Sequence, residues 1–195
     1  MKINELTAGI LIGGKSSRMG ENKAFLKIND TTFLENALKT CRGFSETLVS
    51  VDDIKKYKKY PYHFVEDEIK EYGPLEGIYQ VLRAASNKYS FILAVDMPLL
   101  TEEFLERVSE EFNADKDAMV LKDGDKIHPL CGIYSKRLTH EMKKMRNQGE
   151  RKIRRLYDRI DIKFLNIKDI GFPEELLSNI NTPKEYGLLY SLAQI

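Results

Sequence analysis

An apolar run that leads directly into a glycine-rich, basic loop constrains this chain more than any other feature. Residues 8–12 are apolar and predict a buried strand. The loop after them contains three glycines and three cations, namely Gly13, Gly14, Gly20, Lys15, Arg18 and Lys23. Glycines leave backbone N–H groups open to a ligand, and such groups bind phosphate together with nearby cations. The segment therefore predicts a polyphosphate site at the carboxyl end of a buried strand.

Two kinds of phosphate-binding loop compete for this segment. Residues 9–16 satisfy the P-loop pattern of glycine, four residues and Gly-Lys-Ser, and a later apolar strand ends in Asp96, as the magnesium-binding strand of a P-loop protein does. A P-loop, however, wraps phosphate after its strand has ended, and three of its variable positions would be the apolar residues 10–12. A strand that continues through these residues brings Arg18 and Lys23 into the site. We favour this second interpretation.

Strand and helix patterns alternate along the chain, which predicts an α/β fold: a Rossmann-like three-layer sandwich with a mostly parallel central sheet and helices on both faces. Thr32 and Glu35 have the spacing of a capping box and predict a helix to about residue 42. Residues 89–95 form the most apolar predicted strand, and we expect it at the centre of the sheet. The other predicted strands are 47–51, 62–65, 118–121 and 161–166, with a hairpin towards His128, and the other predicted helices are 74–86, 136–148, one from 101 and one after 183.

Composition narrows the class of protein further. With 42% apolar and 31% charged residues among 195, the chain can bury one sizeable core, and we expect residues 1–195 to form a single domain. A net charge of +1 gives no reason to expect a nucleic-acid partner. The basic-aromatic residues 55–60 could contact nucleic acid, but we favour a solvated helix face there. The sequence shows neither a membrane-span pattern nor a secretory signal, so we expect a cytoplasmic protein without membrane contact. Cys41 and Cys131 lie apart from any metal-binding spacing and are expected to be reduced packing residues.

Acidic side chains follow two of the predicted strands. Ligands of an open α/β sheet gather at the carboxyl ends of its strands, so the loop at Gly13, Asp67 and Asp96 should converge there. Asp96 follows five apolar residues and is the first candidate ligand for Mg²⁺, which prefers oxygen donors. The alternatives are that Asp96 caps the helix near Thr101 and that Asp67 belongs to a solvated acidic surface.

Further motifs occur in a fixed order over nearly the whole chain. They are Leu11 to Gly14, Arg18 to Lys23, Glu66-Asp67, Gly73 to Ile78, Val95 to Pro98, His128 to Tyr134 and Asn179 to Pro183. The ordered set resembles the MobA family of molybdenum cofactor guanylyltransferases, which are nucleotidyltransferases with a Rossmann-like fold. The resemblance implies Mg²⁺-dependent transfer of GMP from GTP to the terminal phosphate of molybdopterin, with release of diphosphate. Cofactor-delivery proteins and apo-molybdoenzymes are the implied protein partners.

The resemblance also implies roles for individual residues. The implied catalytic residues are Arg18, Lys23 and Asp96, with Asp96 as the metal ligand. The implied nucleotide-binding residues are Leu11, Ile12, Gly13, Gly14, Lys23, Ser50, Asp67 and Asp96. The implied acceptor-binding residues are Arg151, Lys152, Asn179 and Asn181. The chemistry of two side chains supports their implied catalytic roles, because the cations Arg18 and Lys23 can bind triphosphate oxygens and stabilise the departing diphosphate. The two asparagines can also simply cap the final helix, and the two cations can be a solvated helix end.

Some positions depart from the family pattern, and other functions stay open. Ile12 stands where alanine is common, and Ser50 stands where some relatives carry asparagine. Gly13 resembles the guanylyl branch, because related cytidylyltransferases usually have Ala-Ala-Gly at residues 12–14. His128 either orients backbone or binds ligand. The alternative functions are a CTP-dependent cytidylyltransferase of the same fold, a P-loop NTPase, and a catalytically silent nucleotide-binding regulatory domain.

Overall fold

The computed structural model of the chain describes residues 1–12, 23–28, 30–182 and 184–187. Its strands are β1 (Thr7–Leu11), β2 (Lys27–Ile28), β3 (Thr31–Thr32), β4 (Glu46–Val51), β5 (Phe64–Glu66), β6 (Tyr89–Ala94), β7 (Ala118–Asp123), β8 (Lys126–Ser135) and β9 (Ile162–Asn166). Its helices are α1 (Phe33–Thr40), α2 (Pro74–Ala84), α3 (Glu102–Glu110) and α4 (Thr139–Asn147), with short 3-10 turns between elements.

Seven strands form one central sheet in the order β5-β4-β1-β6-β8-β7-β9. Every neighbouring pair is parallel except those that involve β8, which runs antiparallel to β6 and β7. The predicted mostly parallel sheet, the central position of β6 and the β7-β8 hairpin are therefore confirmed. Strands β2 and β3 form a separate small antiparallel pair.

Local sequence signals explain where the helices begin. The Thr32 side chain accepts from the Glu35 N–H, and Glu35 reaches back to the Thr32 N–H, so the predicted capping box opens α1. Thr101 is the N-cap residue of α3, and its side chain accepts from the Phe104 N–H. Pro74 is at the first turn of α2, directly after Gly73, whose φ of 97° suits a residue without a β-carbon.

Helices cover both faces of the central sheet. Buried residues of α1 and α3 pack with one face, and buried residues of α2 and α4 pack with the other. The close approach of α2 to the sheet depends on Gly9, because a β-carbon there would lie 2.6 Å from Val81 Cγ1. The predicted three-layer architecture is confirmed.

One expected surface segment contributes to the core. The sequence predicts a solvated helix face at residues 55–60, and the structure instead has a 3-10 turn at Ile54–Tyr57. The Tyr57 side chain is 2% exposed and packs against Phe25 and Phe64. The aromatic packing of Tyr57 outweighs the polar character of the flanking lysines, so the expectation of a solvated surface was wrong for Tyr57.

The cysteine expectation agrees with the structure. Cys41 and Cys131 are both buried and unbonded. Burial raises the pKa of Cys41 to about 12 and also raises that of Cys131, so both thiols are protonated at neutral pH. In the described ranges of the chain, no helix has the length and apolar character needed to cross a bilayer.

Candidate active site

Four parallel strands end side by side at one edge of the sheet. Leu11, the last residue of β1, is in register with Ser50 of β4 and with Ala94 of β6. Backbone hydrogen bonds continue the pattern beyond the strands, from Ile12 N to Ser50 O at 3.1 Å and from Val95 N to Leu11 O at 3.0 Å. Leu11 and Ile12 are buried and form the floor of this carboxyl edge.

A polar cluster of four side chains lies beyond β6 at this edge. Lys23 Nζ donates to Asp96 Oδ2 at 2.9 Å and to Asn181 Oδ1 at 2.6 Å. Asn179 Nδ2 donates to Asp96 Oδ1 at 2.8 Å, and the Asp96 carbonyl accepts from Ile180 N at 2.9 Å. Residues from the start, middle and end of the described chain therefore meet around one carboxylate. We call these four residues, Lys23, Asp96, Asn179 and Asn181, the lysine-aspartate cluster.

The side chains of Asp96, Asn179 and Asn181 do not cap the helices that the alternative interpretation assigned to them. Thr101 caps α3, and the Asp96 carboxylate instead contacts Lys23 and Asn179. At the other end, a capping box joins Thr182 and Glu185: the Glu185 N–H donates to Thr182 Oγ1, and the Glu185 carboxylate accepts from the Asn181 and Thr182 N–H groups. The side chains of Asn179 and Asn181 are thus available to contact Asp96 and Lys23.

Ser50 and Asp67 form a second polar pair at the same edge. Ser50 Oγ donates to Asp67 Oδ1 at 3.3 Å, and Asp67 N donates to the carbonyl of Val51 at 2.9 Å. Burial, and then the negative charge of Glu76, raise the pKa of Asp67 to about 6. Asp67 is half-buried whereas Glu66 and Glu68 on either side are exposed, so it is set apart from the acidic surface run.

Arg151 and Lys152 belong to a third group of residues, after the end of α4. Both side chains are exposed. The Arg151 guanidinium lies 5.1 Å from the centre of the ring of Tyr72, a residue just before the start of α2. The Lys152 N–H donates to Glu150 Oε1 at 2.8 Å. The Glu150 N–H donates to the Met145 carbonyl at 3.0 Å, which closes the turn around Gly149. The structure thus brings Lys23, Asp96, Asn179 and Asn181 together, and it places Arg151 beside the loop that follows Asp67.

The glycine-rich loop itself lies outside the described residues. The predicted site residues Gly13, Gly14 and Arg18 lie in this loop, together with Lys15 and Gly20. Pro183 of the C-terminal motif also lies outside the described residues. The preceding strand still distinguishes the two loop interpretations, because Gly9, Ile10 and Leu11 are paired within β1. The first glycine of the P-loop pattern is therefore a packing residue inside the sheet, and the predicted strand through residues 9–11 is confirmed.

His128 is buried on β8, next to the same edge. Its side chain is 6% exposed, and among the described residues its Nε2 atom has no hydrogen-bond partner. Burial lowers the pKa of His128, which favours the neutral imidazole. It pairs with Leu121 where the β7-β8 register shifts.

Sequence reasoning missed a buried ion pair near Asp67. Glu76 is fully buried in α2, and its Oε2 lies 2.6 Å from Nε of Arg146, whose side chain is 7% exposed. This N–O contact lacks hydrogen-bond geometry, although both side chains have other hydrogen-bond partners. The available signal was an acidic residue within a helix that is otherwise almost entirely apolar on its buried faces. A charge in such a place requires a buried partner.

Open α/β sheets bind their ligands at the carboxyl ends of the strands, where this chain gathers a lysine, an aspartate and two amide side chains. The MobA-like NTP transferase domain family matches residues 8–163, and the chain belongs to this family. It is therefore a nucleotidyltransferase.

Relatives and solved structures agree over nearly the full length. The chain is 35% identical over 193 residues to a probable molybdenum cofactor guanylyltransferase of Carboxydothermus hydrogenoformans, covering 97% of this chain and 98% of that protein. It is 31% identical over 190 residues to a molybdenum cofactor guanylyltransferase of Campylobacter jejuni, covering 95% and 96%. The crystal structure of molybdopterin-guanine dinucleotide biosynthesis protein A from Archaeoglobus fulgidus matches with a TM-score of 0.84 and 27% identity, covering 97% of this chain and 99% of that one.

Proposed function

We propose that this protein transfers GMP from GTP to the terminal phosphate of molybdopterin or molybdenum cofactor, releasing diphosphate and forming the guanine dinucleotide cofactor. The observation that carries the proposal is the lysine-aspartate cluster, in which a cation and a carboxylate meet at the carboxyl edge of the sheet. The names of the full-length relatives support the nucleotide and the acceptor.

The proposed reaction needs charge neutralisation and alignment. An oxygen of the acceptor phosphate forms a bond to the α-phosphorus of GTP, while the bond from that phosphorus to the bridging oxygen of diphosphate breaks. The acceptor phosphate is already ionised at neutral pH, so this step needs no general base. Lys23, with Arg18, is proposed to bind the triphosphate and to stabilise the negative charge of the departing diphosphate.

The cluster also fits a magnesium ion. Two oxygens from different parts of the chain, Asp96 Oδ2 and Asn181 Oδ1, converge on the cationic Nζ of Lys23. One or two protein oxygens suffice for Mg²⁺, which takes its other ligands from phosphate and water. We propose that Asp96 holds Mg²⁺, which supplies positive charge to the phosphate oxygens when bound. Among the described residues no group of three or more His, Cys, Asp or Glu residues forms a metal cluster.

The nucleotide is proposed to lie along the ends of β1 and β4. Leu11, Ile12, Gly13 and Gly14 would contact it from the strand end and the following loop, with Lys23 and Asp96 at the phosphates. Ser50 and Asp67 form a hydrogen-bonded pair beside this path, and they offer a hydroxyl and a carboxylate for the ribose or base.

The acceptor is proposed to approach from the side of α4 and the C-terminal segment. Arg151 and Lys152 are exposed cations that can bind its phosphate, and Asn179 and Asn181 offer amide groups next to Asp96. Cofactor-delivery proteins and apo-molybdoenzymes are the proposed protein partners, and the cytoplasm is the proposed location.

The first experiment is a calorimetric titration of GTP, CTP and ATP in the presence of Mg²⁺. Wild type, Asp96→Ala and the control Asp161→Ala are compared, because Asp161 is an exposed carboxylate before β9, at the opposite edge of the sheet. We expect a preference for GTP that Asp96→Ala weakens and Asp161→Ala preserves, followed by diphosphate release when molybdopterin is added. A preference for CTP would indicate a cytidylyltransferase instead. Nucleotide binding without diphosphate release would support the silent regulatory domain.

A further inference from the structure

The buried Glu76–Arg146 ion pair joins two helices on one face of the sheet. Glu76 lies in the first turn of α2, and Arg146 lies in the last turn of α4. Their side chains are 0% and 7% exposed. Burying an ion pair is costly in solvation free energy, and an apolar pair of similar volume is often as stable. Stability alone therefore does not account for these two charges.

The Glu76 carboxylate holds the loop that begins at Asp67. Its Oε1 atom accepts from the N–H groups of Glu68 at 3.0 Å and Ile69 at 3.2 Å, the two residues that directly follow Asp67. Arg146 Nη2 donates to the same oxygen at 3.1 Å. The backbone next to a proposed nucleotide-binding residue is thus fixed by a carboxylate that Arg146 in turn holds in place.

Arg146 also reaches the loop directly. Its Nη2 atom lies 3.0 Å from Glu68 Oε2, and its guanidinium lies 4.1 Å from the centre of the Tyr79 ring. Glu68 is thus a second carboxylate partner of Arg146, and the Tyr79 ring gives its guanidinium a cation–π contact.

A second link joins the same two segments of backbone. The hydroxyl of Tyr72, near the end of the Asp67 loop, lies 3.1 Å from the carbonyl oxygen of Arg146 and 3.0 Å from that of Glu150. A single hydroxyl proton is shared between these two acceptors. The turn at residues 146–152, which carries Arg151 and Lys152, is therefore tied to the loop at residues 67–73 at both ends of that loop.

We infer that Arg146, acting through Glu76, is a positioning residue that fixes the nucleotide loop at residues 67–73 relative to the acceptor turn at residues 146–152. This inference rests on the proposed function, because it takes Asp67 as a nucleotide contact and Arg151 and Lys152 as acceptor contacts. Transfer between two bound substrates depends on their relative placement, and a shift of about 1 Å can cost about 100-fold in rate. The ion pair would thus align the two substrates without touching either one.

Hydrogen exchange on the substrate-free protein tests the inference without any assumption about the substrates. Wild type is compared with Arg146→Met, Arg146→Lys and the control Arg155→Met, since Arg155 is an exposed arginine whose nearest acidic partner, Asp158, lies at 3.9 Å. We expect Arg146→Met to speed exchange at Glu68 and Ile69 about tenfold and to speed it across residues 146–152, with a smaller change in Arg146→Lys and none in the control. Faster exchange at residues 146–152 alone would overturn the inference.

Tyr72→Phe provides a variant that keeps the ion pair and the shape of the core. We expect it to loosen residues 146–152 while Glu68 and Ile69 stay protected, because only the hydroxyl link is lost. Loss of protection at Glu68 and Ile69 in this variant would show that the ion pair does not hold the loop, which contradicts the inference.

A second measurement separates this inference from the proposed function. GTP with Mg²⁺ is added to wild type and to Arg146→Lys, and both exchange at residues 146–152 and diphosphate release with molybdopterin are followed. We expect GTP to slow exchange at residues 146–152 in wild type and much less in the variant, with kcat lowered about 100-fold and GTP affinity changed far less. A wild type that transfers GMP with no such exchange response overturns the inference. A wild type that shows no transfer overturns the proposed function, while the substrate-free exchange still decides whether Arg146 joins the two segments.

Discussion

The Nζ atom of Lys23 lies 2.9 Å from Oδ2 of Asp96, although the two residues are 73 positions apart in the sequence. The side chains are only 17% and 16% exposed, so the pair is more strongly coupled than a surface ion pair. Lys23 thus occupies a cation position on the carboxylate that we propose as the metal ligand. In the proposed function Asp96 would hold the metal, and Lys23 would be available to bind phosphate.

Loss of either residue of this pair should remove transfer and keep the fold. We predict that Lys23→Ala and Asp96→Ala each lower kcat about 100-fold or more, because each removes charge stabilisation of the transferring phosphate. Circular dichroism should show an unchanged fold, and Lys116→Ala is the matched control because Lys116 pairs with Asp161 at the other edge of the sheet. Lys15→Ala should have a smaller effect. A complete loss of activity in Lys15→Ala alone would favour the P-loop mechanism.

Asp67 should make the stability of the protein depend on pH. Burial and the charge of Glu76 raise the pKa of Asp67 to about 6 in the folded chain, whereas an unfolded aspartate has a pKa near 4. Between these values the folded state binds more protons, so this residue lowers the free energy of unfolding as pH rises from about 4 to about 6. One pKa unit corresponds to about 1.4 kcal/mol. Because Asp67 is only partly buried, water screens its charge and its contribution should stay well below the about 3 kcal/mol of the full shift.

The Asp67→Asn variant tests this dependence. We expect it to be more stable than wild type at about pH 8 and to lose most of that advantage at about pH 4, where wild-type Asp67 is protonated. Urea unfolding at both pH values measures the difference, with Asp161→Asn as the control. GTP affinity of Asp67→Asn should be lower despite the higher stability. A variant less stable than wild type at about pH 8 would contradict the prediction.

The sequence predicted the parts of this structure that depend on local patterns. The α1 capping box needs only Thr32 and Glu35, and the central strand needs only one apolar run, so both were recovered within a few residues. The environment of Tyr57 was missed because its aromatic partners come from other segments. Glu76 in an apolar helix signalled a buried charge, but its partner Arg146 was missed because 70 residues separate the two and no local pattern identifies the partner.

Breaking the Glu76–Arg146 pair should destabilise the fold more than removing it entirely. We predict that Glu76→Leu or Arg146→Met alone lowers the free energy of unfolding by about 3–5 kcal/mol, because each leaves one buried charge without its partner. The double variant should recover most of that loss, and Arg137→Met, which removes an exposed ion pair with Asp117, should cost about 1 kcal/mol or less. Denaturant unfolding of all four variants measures these values. Additive losses in the double variant would show that the two charges are not energetically coupled.

Asn181 and Thr182 are adjacent, yet their substitutions should have different effects. The Asn181 side chain accepts from Lys23 within the proposed site, whereas the Thr182 hydroxyl accepts from the Glu185 N–H and caps the turn at residues 184–187. We predict that Asn181→Ala lowers kcat about tenfold or more with little change in melting temperature, because Lys23 loses the partner that orients it. Thr182→Ala should instead cost about 1 kcal/mol of stability and leave kcat nearly unchanged, as expected for loss of a helix cap.

Asn181→Asp is an informative third variant, because it keeps the acceptor oxygen but adds a negative charge beside Asp96. We expect it to retain more activity than Asn181→Ala at high Mg²⁺ and less at low Mg²⁺, since the added carboxylate needs a cation to offset it. Equal activity losses in Asn181→Ala and Thr182→Ala would mean that the segment acts only through the cap and that the amide has no role in the site.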